Sequence, residues 1–385
     1  MKTIRVLQLA SFEGNIGDNA NHCGARQLLR KNLNVHLEFT NLEIREFFWG
    51  ERQYDLEFAK YVNSFDLFIF GGGNFFELWV DHSCNNTSVD IDVSILKAIK
   101  IPTIFYSLGL DPGLGVSDKG IIKFKKWLDF VNSEKRFILS LRNDGSLDAA
   151  KQYLGEDYAS HFHVVPDGGF FTEVSDHFHI ELPIKKTIIG LNLAGDILNI
   201  RFPKNKTNSI SYEQFLIKLG DLFNSLFDNN DNLHLVVFPH IYKDLDIISQ
   251  FIHKLKDKHA RRKVTVAPYL HGEGAQEYIF NAYSKCDLIM GNRFHTNVCA
   301  IGLKIPTIGF INYRQIEMLY KELDLMDRTV FVNEKDFDEK LLDKINSTLE
   351  NSDKVSEVYG QKRQALIAEV NRFHHFVNEW LASYL

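Results

Sequence analysis

The sequence has few cysteines, and none of them is spaced for a metal site. Only four occur among 385 residues, and no CxxC pair is present. They lie apart in apolar or loop contexts, at Cys23, Cys84, Cys286 and Cys299. Isolated thiols of this kind are typical of a protein that folds in a reducing compartment. The pattern argues against both a zinc site and a disulfide-bonded scaffold.

The sequence also lacks an excess of positive charge and long apolar runs. The formal net charge is −6, so the chain lacks the electrostatic field expected of a nucleic-acid-binding protein. The N-terminal stretch MKTIRVLQLASFEGNIGD has a short apolar run that is typical of a first strand and not of a signal peptide. No apolar run reaches the length of a bilayer span. These features predict a cytoplasmic protein, for which any membrane contact would be peripheral and at the inner face.

What the sequence does contain is a regular alternation of strand-like and helix-like runs in two cycles. The first cycle extends over residues 1–171 and the second over 187–335, with a linker-like stretch between them. This alternation predicts parallel sheets covered by helices. We expect an α/β protein with two Rossmann-like domains facing a central cleft, in a GT-B-like arrangement. The helical tail, 336–385, is expected to pack back across the domains, although its aromatic end could also touch a membrane surface.

Ligands of open α/β sheets bind at the carboxyl ends of the strands, so the loops that follow strands are the candidate sites. The strongest candidate is GNRFHTNVCAIG, residues 291–302. Here a strand-like run delivers Asn292 and Arg293 to the sheet edge, and a helix-like run begins beside His295. A guanidinium, a helix N-terminus and an imidazole in one loop indicate an anion site with a titratable neighbour. A buried structural histidine is the alternative interpretation of His295.

Three further loops carry candidate polar groups. Arg142 ends a strand in SLRNDGS, where it can bind a carboxylate or phosphate, or form a surface ion pair with Asp144 or Asp148. His240 follows a strand in VVFPH, and a lone histidine there is also compatible with a structural role. Asp167 in PDGGF can bind a ligand or fix a turn.

Two glycine-containing loops of the first half complete the set. GNIGD (14–18) contains glycines that permit a tight turn and an Asp18 that can cap the next helix. GGGN (71–74) ends an apolar strand and lacks the full GxGxxG spacing of a dinucleotide site. Either loop can approach a ligand closely or serve as a simple turn.

In their order along the chain, these pieces resemble the polysaccharide pyruvyl transferase family. GNIGD, GGG, SLRNDGS, PDGGF, FPH and GNRFHTNVCAIGLKIPTIGF span the chain from about residue 14 to about residue 313. The resemblance implies a GT-B-like fold and transfer of a pyruvyl group from phosphoenolpyruvate to two hydroxyls of a sugar. The product would be a pyruvate ketal on a cell-surface polysaccharide or its precursor, with release of phosphate. The resemblance also implies no metal and no cofactor beyond the donor substrate.

The resemblance also assigns residues. Arg293 and His295 match the family's Arg-x-His pair, and Arg142 matches its first-half arginine. Ile316 departs from the pattern, because such proteins often have a lysine there; Arg314 is the expected substitute. The expected site consists of His295 and Asp18 as catalytic residues, Arg142, Arg293, Asn292, His240 and Arg314 at the donor, and Asn15, Gly71, Gly72, Gly73 and Asn74 at the acceptor.

The expected partners are phosphoenolpyruvate and a saccharide or lipid-linked saccharide. Two other functions are compatible with the sequence. One is a GT-B glycosyltransferase that uses a nucleotide sugar, with Glu273 or Glu277 on the ribose. The other is a saccharide-binding relative without catalytic activity.

Overall fold

The computed structural model describes residues 2–203, 209–272 and 274–384. The chain forms two compact units, and neither unit is one continuous segment. The first unit comprises Met1–Phe12, His22–Gly168 and Ala365–Leu385, and the second comprises Glu13–Asn21 and Gly169–Gln364. Residues 13–21 belong to the second unit, although their position in the sequence suggests the first domain.

The first unit contains a parallel sheet of six strands. These are β1 (Thr3–Ala10), β2 (His36–Glu43), β3 (Leu67–Glu77), β4 (Thr103–Asp111), β5 (Phe137–Leu141) and β6 (His163–Val164). Their spatial order is β2-β1-β3-β4-β5-β6. Every residue of β4 is buried, as is typical of a strand covered on both faces.

Helices cover this sheet. They are α1 (Ile16–Asn32), α2 (Arg45–Phe48), α3 (Leu56–Val62), α4 (Val93–Ala98), α5 (Asp118–Ser133), α6 (Ser146–Leu154) and α7 (Glu156–Ala159). Of α1, only the part from His22 onward belongs to the first unit. Trp127 of α5 is buried edge-on against Phe76 and Phe105 of the sheet. Its indole N–H donates to the Ile91 carbonyl at 3.0 Å, so the ring is buried without loss of its hydrogen bond.

The second unit contains another parallel sheet of six strands. These are β7 (Thr187–Asn192), β8 (Leu233–Val237), β9 (Val264–Val266), β10 (Leu288–Gly291), β11 (Thr307–Ile311) and β12 (Thr329–Phe331). Their spatial order is β12-β11-β10-β7-β8-β9. The two sheets confirm the predicted α/β class with two Rossmann-like halves. The short edge strand β12 is an addition that the sequence pattern did not reveal.

The second sheet also has helices after its strands. They are α8 (Leu198–Arg201), α9 (Tyr212–Asn229), α10 (Asp244–Ile252), α11 (Asp257–Arg262), α12 (Ala275–Tyr283), α13 (Phe294–Gly302), α14 (Arg314–Glu322) and α15 (Phe337–Glu350), followed by α16 (Ser352–Ala382). The helix that follows β10 is α13. The end of α16 lies in the first unit, where Phe373, Val377 and Leu381 are buried. None of the described helices combines the length and the apolar character that a bilayer span requires.

The strand order places a topological switch point in each sheet. In the second sheet the chain runs outward from β7 through β8 to β9, and outward in the other direction from β10 through β11 to β12. The chain therefore leaves β7 and β10 in opposite directions, and such a switch point at the carboxyl ends of the strands is where ligands of open α/β sheets bind. This edge is where Asn292 and Arg293 lie.

Candidate active site

The loop after β10 is fastened to the loop after β7 by a buried asparagine. The Asn292 side-chain oxygen accepts a hydrogen bond from the Ala194 backbone N–H at 2.7 Å. Arg293 then takes an extended backbone conformation and begins α13 without capping it through its side chain. The sequence prediction of a strand, a polar loop and a helix start is confirmed at this position.

Arg293 is already paired with carboxylates. Its Nε donates to Asp244 Oδ2 at 2.7 Å, a second N–H donates to Asp244 Oδ1, and Nη1 lies 3.4 Å from Asp196 Oδ2. Burial acts to lower the pKa of Arg293, but the two carboxylates outweigh burial and raise the pKa above its usual value. The guanidinium therefore stays charged, and it is not the isolated cation that the sequence alone suggested.

Asp244 is the anchor of this arrangement. It is fully buried and also accepts backbone hydrogen bonds from Gly195 at 3.0 Å and His240 at 2.9 Å. Burial acts to raise the pKa of Asp244, but Arg293 and the backbone donors outweigh it and lower the pKa. A carboxylate with this many donors is held ionised and rigid.

Arg201 is a second buried cation at the same sheet edge, and sequence reasoning missed it. Its Nη1 donates to the Asn292 carbonyl at 3.1 Å and to Asn312 Oδ1 at 3.2 Å. Its Nη2 lies 3.4 Å from Asp196 Oδ1, and its guanidinium lies 5.5 Å from the centre of the Tyr313 ring. Burial lowers the pKa of Arg201, and Asp196 offsets part of that effect.

A signal for Arg201 was present in the sequence. The strand-like run TIIGLNLAG extends to residue 195, Asp196 follows it directly, and Arg201 ends the short segment DILNIR that comes next. The same rule that selected Arg293, a charged group after a strand of the second half, also selects this pair.

Two amide groups beside Arg201 carry donors that no described residue satisfies. Asn292 and Asn312 are buried, and the Nδ2 atoms of both have no hydrogen-bond partner among the described residues. Their oxygens are engaged by an N–H and a guanidinium, which can only donate, so the identity of each Nδ2 follows from chemistry. Buried donors without partners cost about 1–3 kcal/mol each, and they indicate a place for a ligand with acceptor atoms.

His295 begins α13 beside the start of α1. Its Nδ1 lies 3.8 Å from Asp18 Oδ1, and both side chains are largely buried within the second unit. Gly17 makes this approach possible, because a Cβ on it would lie 2.5 Å from His295 Cβ and 2.6 Å from His295 Nδ1. The structure thus brings together the two residues predicted to be catalytic.

Asn15 has a local role in the same turn. Its side-chain oxygen accepts a hydrogen bond from the Gly17 N–H at 3.0 Å, so it fixes the backbone at the start of α1. Asn15 and Asp18 were predicted for the acceptor and the catalytic group of the first domain. Both lie in the second unit.

His240 is held neutral. Burial, followed by the charge of Arg293, lowers its pKa to about 3. Its Nε2 lies 2.8 Å from the Tyr283 hydroxyl and 3.4 Å from Thr296 Oγ1. These contacts suit a structural or orienting group better than an anion-binding one at neutral pH.

Arg314 and Ile316 lie in the first turn of α14. Ile316 is aliphatic and buried, so this position supplies no positive charge in place of the expected lysine. Arg314, the predicted substitute, is half-buried. Arg201 lies against Tyr313 from another element and places a cation beside the same turn.

In the first unit, the predicted residues Arg142 and Asn74 converge. A Cβ on Gly109 would lie 2.5 Å from Asn74 Oδ1 and 2.8 Å from Arg142 Nη2, so both side chains close on this glycine. Arg142 is buried and pairs with Asp144 at 2.8 Å and Asp167 at 3.4 Å. Arg142 is therefore ion-paired, but the pair is buried and includes Asp167, and it is not the surface pair with Asp144 or Asp148 that was the alternative.

The three predicted glycines all lie within β3. Gly71 and Gly73 are ladder positions opposite β4, and Gly72 between them has φ +65°, a left-handed conformation that favours glycine. Asn74 follows directly and donates to Asp111 Oδ2 at 3.2 Å. Near the end of the strand, burial raises the pKa of Glu77 to about 7, although Ser88 acts to lower it.

The residues proposed for a nucleotide ribose give little support to that function. Glu277 accepts hydrogen bonds from both the backbone N–H and the hydroxyl of Ser175, which fasten the stretch before β7 to α12. Glu273 lies outside the described residues. No group of three His, Cys, Asp or Glu side chains in the described part of the chain is arranged to hold a metal ion.

Comparisons with known proteins agree with the resemblance seen in the sequence. Residues 15–314 match the family model of polysaccharide pyruvyl transferase. A comparison with curated proteins gives no significant match.

Solved structures share the fold at low identity. The S. aureus MnaA–UDP co-structure has a TM-score of 0.55 and 8% identity, over 93% of this chain and 90% of that chain. A UDP-N-acetylglucosamine 2-epimerase has a TM-score of 0.54 and 12% identity, over 98% and 97%. A glycosyltransferase from Rickettsia africae ESF-5 has a TM-score of 0.53 and 13% identity, over 100% and 99%. These likenesses establish the fold alone, and they confirm the GT-B-like class.

Proposed function

Because the chain belongs to the polysaccharide pyruvyl transferase family, which is an enzyme family, we propose that it transfers the pyruvyl group of phosphoenolpyruvate to two hydroxyls of a sugar. The product is a pyruvate ketal on a cell-surface polysaccharide or its precursor, and phosphate is released. The observation that carries the proposal is the group formed by Arg293, Asn292 and His295 at the carboxyl end of β10, where α13 begins.

The second unit offers suitable partners for an anionic donor. Phosphoenolpyruvate carries a carboxylate and a phosphate, and both need donors and positive charge. Arg293 and Arg201 supply two guanidiniums, and the amide nitrogens of Asn292 and Asn312 supply buried N–H donors. The N-terminus of α13 adds its backbone N–H groups and the positive end of the helix dipole.

His295 and Asp18 are proposed for the proton transfers. In the reaction the methylene carbon of the donor gains a proton, and one sugar hydroxyl attacks the neighbouring carbon. The second hydroxyl closes the ketal as phosphate leaves, and the proton of that hydroxyl departs with the phosphate. We assign proton donation at the methylene carbon to the His295 imidazole and acceptance of a hydroxyl proton to Asp18. Their separation of 3.8 Å lets the carboxylate orient the ring and balance its charge.

A substitution at His295 tests the assignment. His295→Gln keeps a polar side chain of similar size, and it should reduce turnover by about 10²–10⁴-fold while the fold persists. Turnover is measured as phosphate release that depends on an added saccharide, with mass spectrometry of the ketal product. His375→Gln is the matched control, because that histidine is 78% exposed and lies in the first unit. Full turnover in His295→Gln would show that the acid/base role is wrong.

The choice of donor is tested separately. Thermal shift measurements compare phosphoenolpyruvate with a panel of nucleotide sugars, since a true donor stabilises the protein once its concentration exceeds Kd. Stabilisation by a nucleotide sugar alone would favour the glycosyltransferase alternative. Binding of a saccharide without phosphate release under any condition would favour the non-catalytic one. The use of a lipid-linked acceptor and a peripheral contact with the inner face of the membrane are further proposals.

A further inference from the structure

The carboxylate of Asp196 lies between the guanidiniums of Arg201 and Arg293 in the second unit. Asp196 Oδ1 lies 3.4 Å from Arg201 Nη2, and Asp196 Oδ2 lies 3.4 Å from Arg293 Nη1. Ion pairs with a firm hydrogen bond have N···O distances of about 2.7–2.9 Å. Asp244 meets that standard with Arg293, whereas Asp196 makes two long contacts.

Asp196 is also the accessible member of the group. Its side chain is 27% exposed, compared with 11% for Arg293 and 0% for Asp244. Asp244 accepts backbone hydrogen bonds that fix it in place. The Asp196 carboxylate has no described hydrogen-bond donor other than the two guanidiniums. Rotation of Asp196 toward solvent therefore breaks two weak contacts and leaves the Arg293–Asp244 pair intact.

The residue after Asp196 has an unusual backbone conformation. Ile197 has φ +46° and ψ +36°, a left-handed conformation that is costly for a β-branched residue. The Asp196 carbonyl accepts a hydrogen bond from Arg201 Nε at 3.2 Å, so the turn is tied to the cation that its side chain contacts. Strained backbone of this kind persists only where the surrounding structure holds it, and it is common at ligand-binding sites.

Charge and unsatisfied donors indicate what replaces Asp196. Among the described residues, the hydrogen-bond acceptors of Arg201 are neutral oxygens apart from the Asp196 carboxylate. When Asp196 turns away, one positive charge lacks its partner. The amide nitrogens of Asn292 and Asn312, both next to Arg201 and both buried, lack partners among the described residues. An incoming carboxylate restores the missing negative charge. The two amide nitrogens need further acceptor atoms of the same ligand, since the Asp196 carboxylate in that position leaves them without partners.

We propose that the Asp196 carboxylate and the carboxylate of the donor compete for one position between Arg201 and Arg293. The inference rests on the proposed donor, phosphoenolpyruvate, and it assigns the donor's carboxylate to this position. Asp196 then acts as a specificity-determining residue. It excludes anions that bind too weakly to displace it, and it returns to the guanidiniums when product leaves.

The test is a binding measurement on the intact chain. Asp196→Asn keeps the shape of the side chain and removes its charge. Isothermal titration calorimetry with pyruvate, which carries a carboxylate and no phosphate, should give a dissociation constant roughly tenfold lower than in the unchanged protein. The affinity for inorganic phosphate should rise by a smaller factor. The KM for phosphoenolpyruvate should fall in the same variant.

One control and one substitute variant keep the test decisive. Asp246→Asn removes one negative charge from the exposed side of α10 and should leave pyruvate binding unchanged. Asp196→Ser replaces Asp196→Asn if the latter does not fold. Unchanged or weaker pyruvate binding in the Asp196 variant, or an equal gain for phosphate, would overturn the inference. If pyruvate binding strengthens but no ketal forms under any condition, the inference stands and the proposed function fails.

Discussion

Gly17→Ala adds one carbon atom to α1, directly beside the imidazole of His295 in α13. The added Cβ would lie 2.5 Å from His295 Cβ, 2.6 Å from Nδ1 and 2.7 Å from Cγ. Carbon atoms in contact prefer about 3.5–4.0 Å, so the ring or the start of α1 has to move by about 1 Å. The clash includes the Cβ of His295, which is tied to the backbone of α13, so rotation of the side chain cannot relieve it.

The magnitude follows from the size of that displacement. A 1 Å misplacement of a catalytic group can reduce the rate by about 10²-fold, which corresponds to about 2.7 kcal/mol in the barrier. Overpacking costs about 1–3 kcal/mol of stability, which most folded proteins tolerate. We therefore expect a protein that still folds, melts at a slightly lower temperature, and turns over about 100-fold more slowly.

The assay measures saccharide-dependent phosphate release together with thermal melting. Gly360→Ala in α16 is the matched control, because a Cβ there meets only Lys304 Cδ at 3.6 Å, an ordinary contact. Alanine is also the better helix former by about 1 kcal/mol, so the control should keep its activity. Normal turnover in Gly17→Ala would refute the reasoning, since it would mean that the position of the His295 ring does not matter for catalysis.

Two further predictions concern stability. Asp244→Asn should lower the free energy of unfolding in urea by about 3–5 kcal/mol, because it leaves Arg293 buried without its main partner. The control, Asp257→Asn in an exposed pair with Arg261, should lower it by less than about 1 kcal/mol. Similar losses in the two variants would contradict the buried-pair argument. In the unfolded chain His240 is protonated as the pH falls below about 6.5, whereas in the folded chain it is protonated only near pH 3. The free energy of unfolding therefore decreases as the pH falls below 6.5, by up to about 1.4 kcal/mol per pH unit. His240→Gln should lose less stability than the unchanged protein between pH 7 and pH 5, and an identical pH dependence in urea unfolding would contradict the assignment.

Much of the fold follows from the periodicity of the sequence. The strand-like runs TIIGLNLAG (187–195), DLIMG (287–291) and PTIGF (306–310) correspond to β7, β10 and β11, because strands covered on both faces have short continuous apolar runs. The helix-like run that was expected beside His295 is α13. The three-residue strand β12 was missed because a short edge strand has too few residues for a pattern.

The site was predictable only in part. The Asn292–Arg293–His295 loop could be found because one local sequence contains the strand end, the cation and the helix start. The pairing of Arg293 with Asp244 joins residues 49 positions apart, and no local pattern contains it. Arg201 comes after a strand-like run and could have been selected from the sequence, but its contacts with Asn292 and Asn312 depend on which strands are neighbours in the sheet. That order is a property of the whole unit.

The discontinuity of the second unit has a practical consequence for anyone who wishes to produce it alone. A truncated chain that starts at residue 169 would lack the nine residues 13–21. It would expose the surface that Ile16 and Ala20 cover in their apolar cluster, and it would remove the carboxylate that faces His295. A covalent fusion of that short peptide to the truncated chain would be needed before activity or ligand binding could be measured on the isolated half.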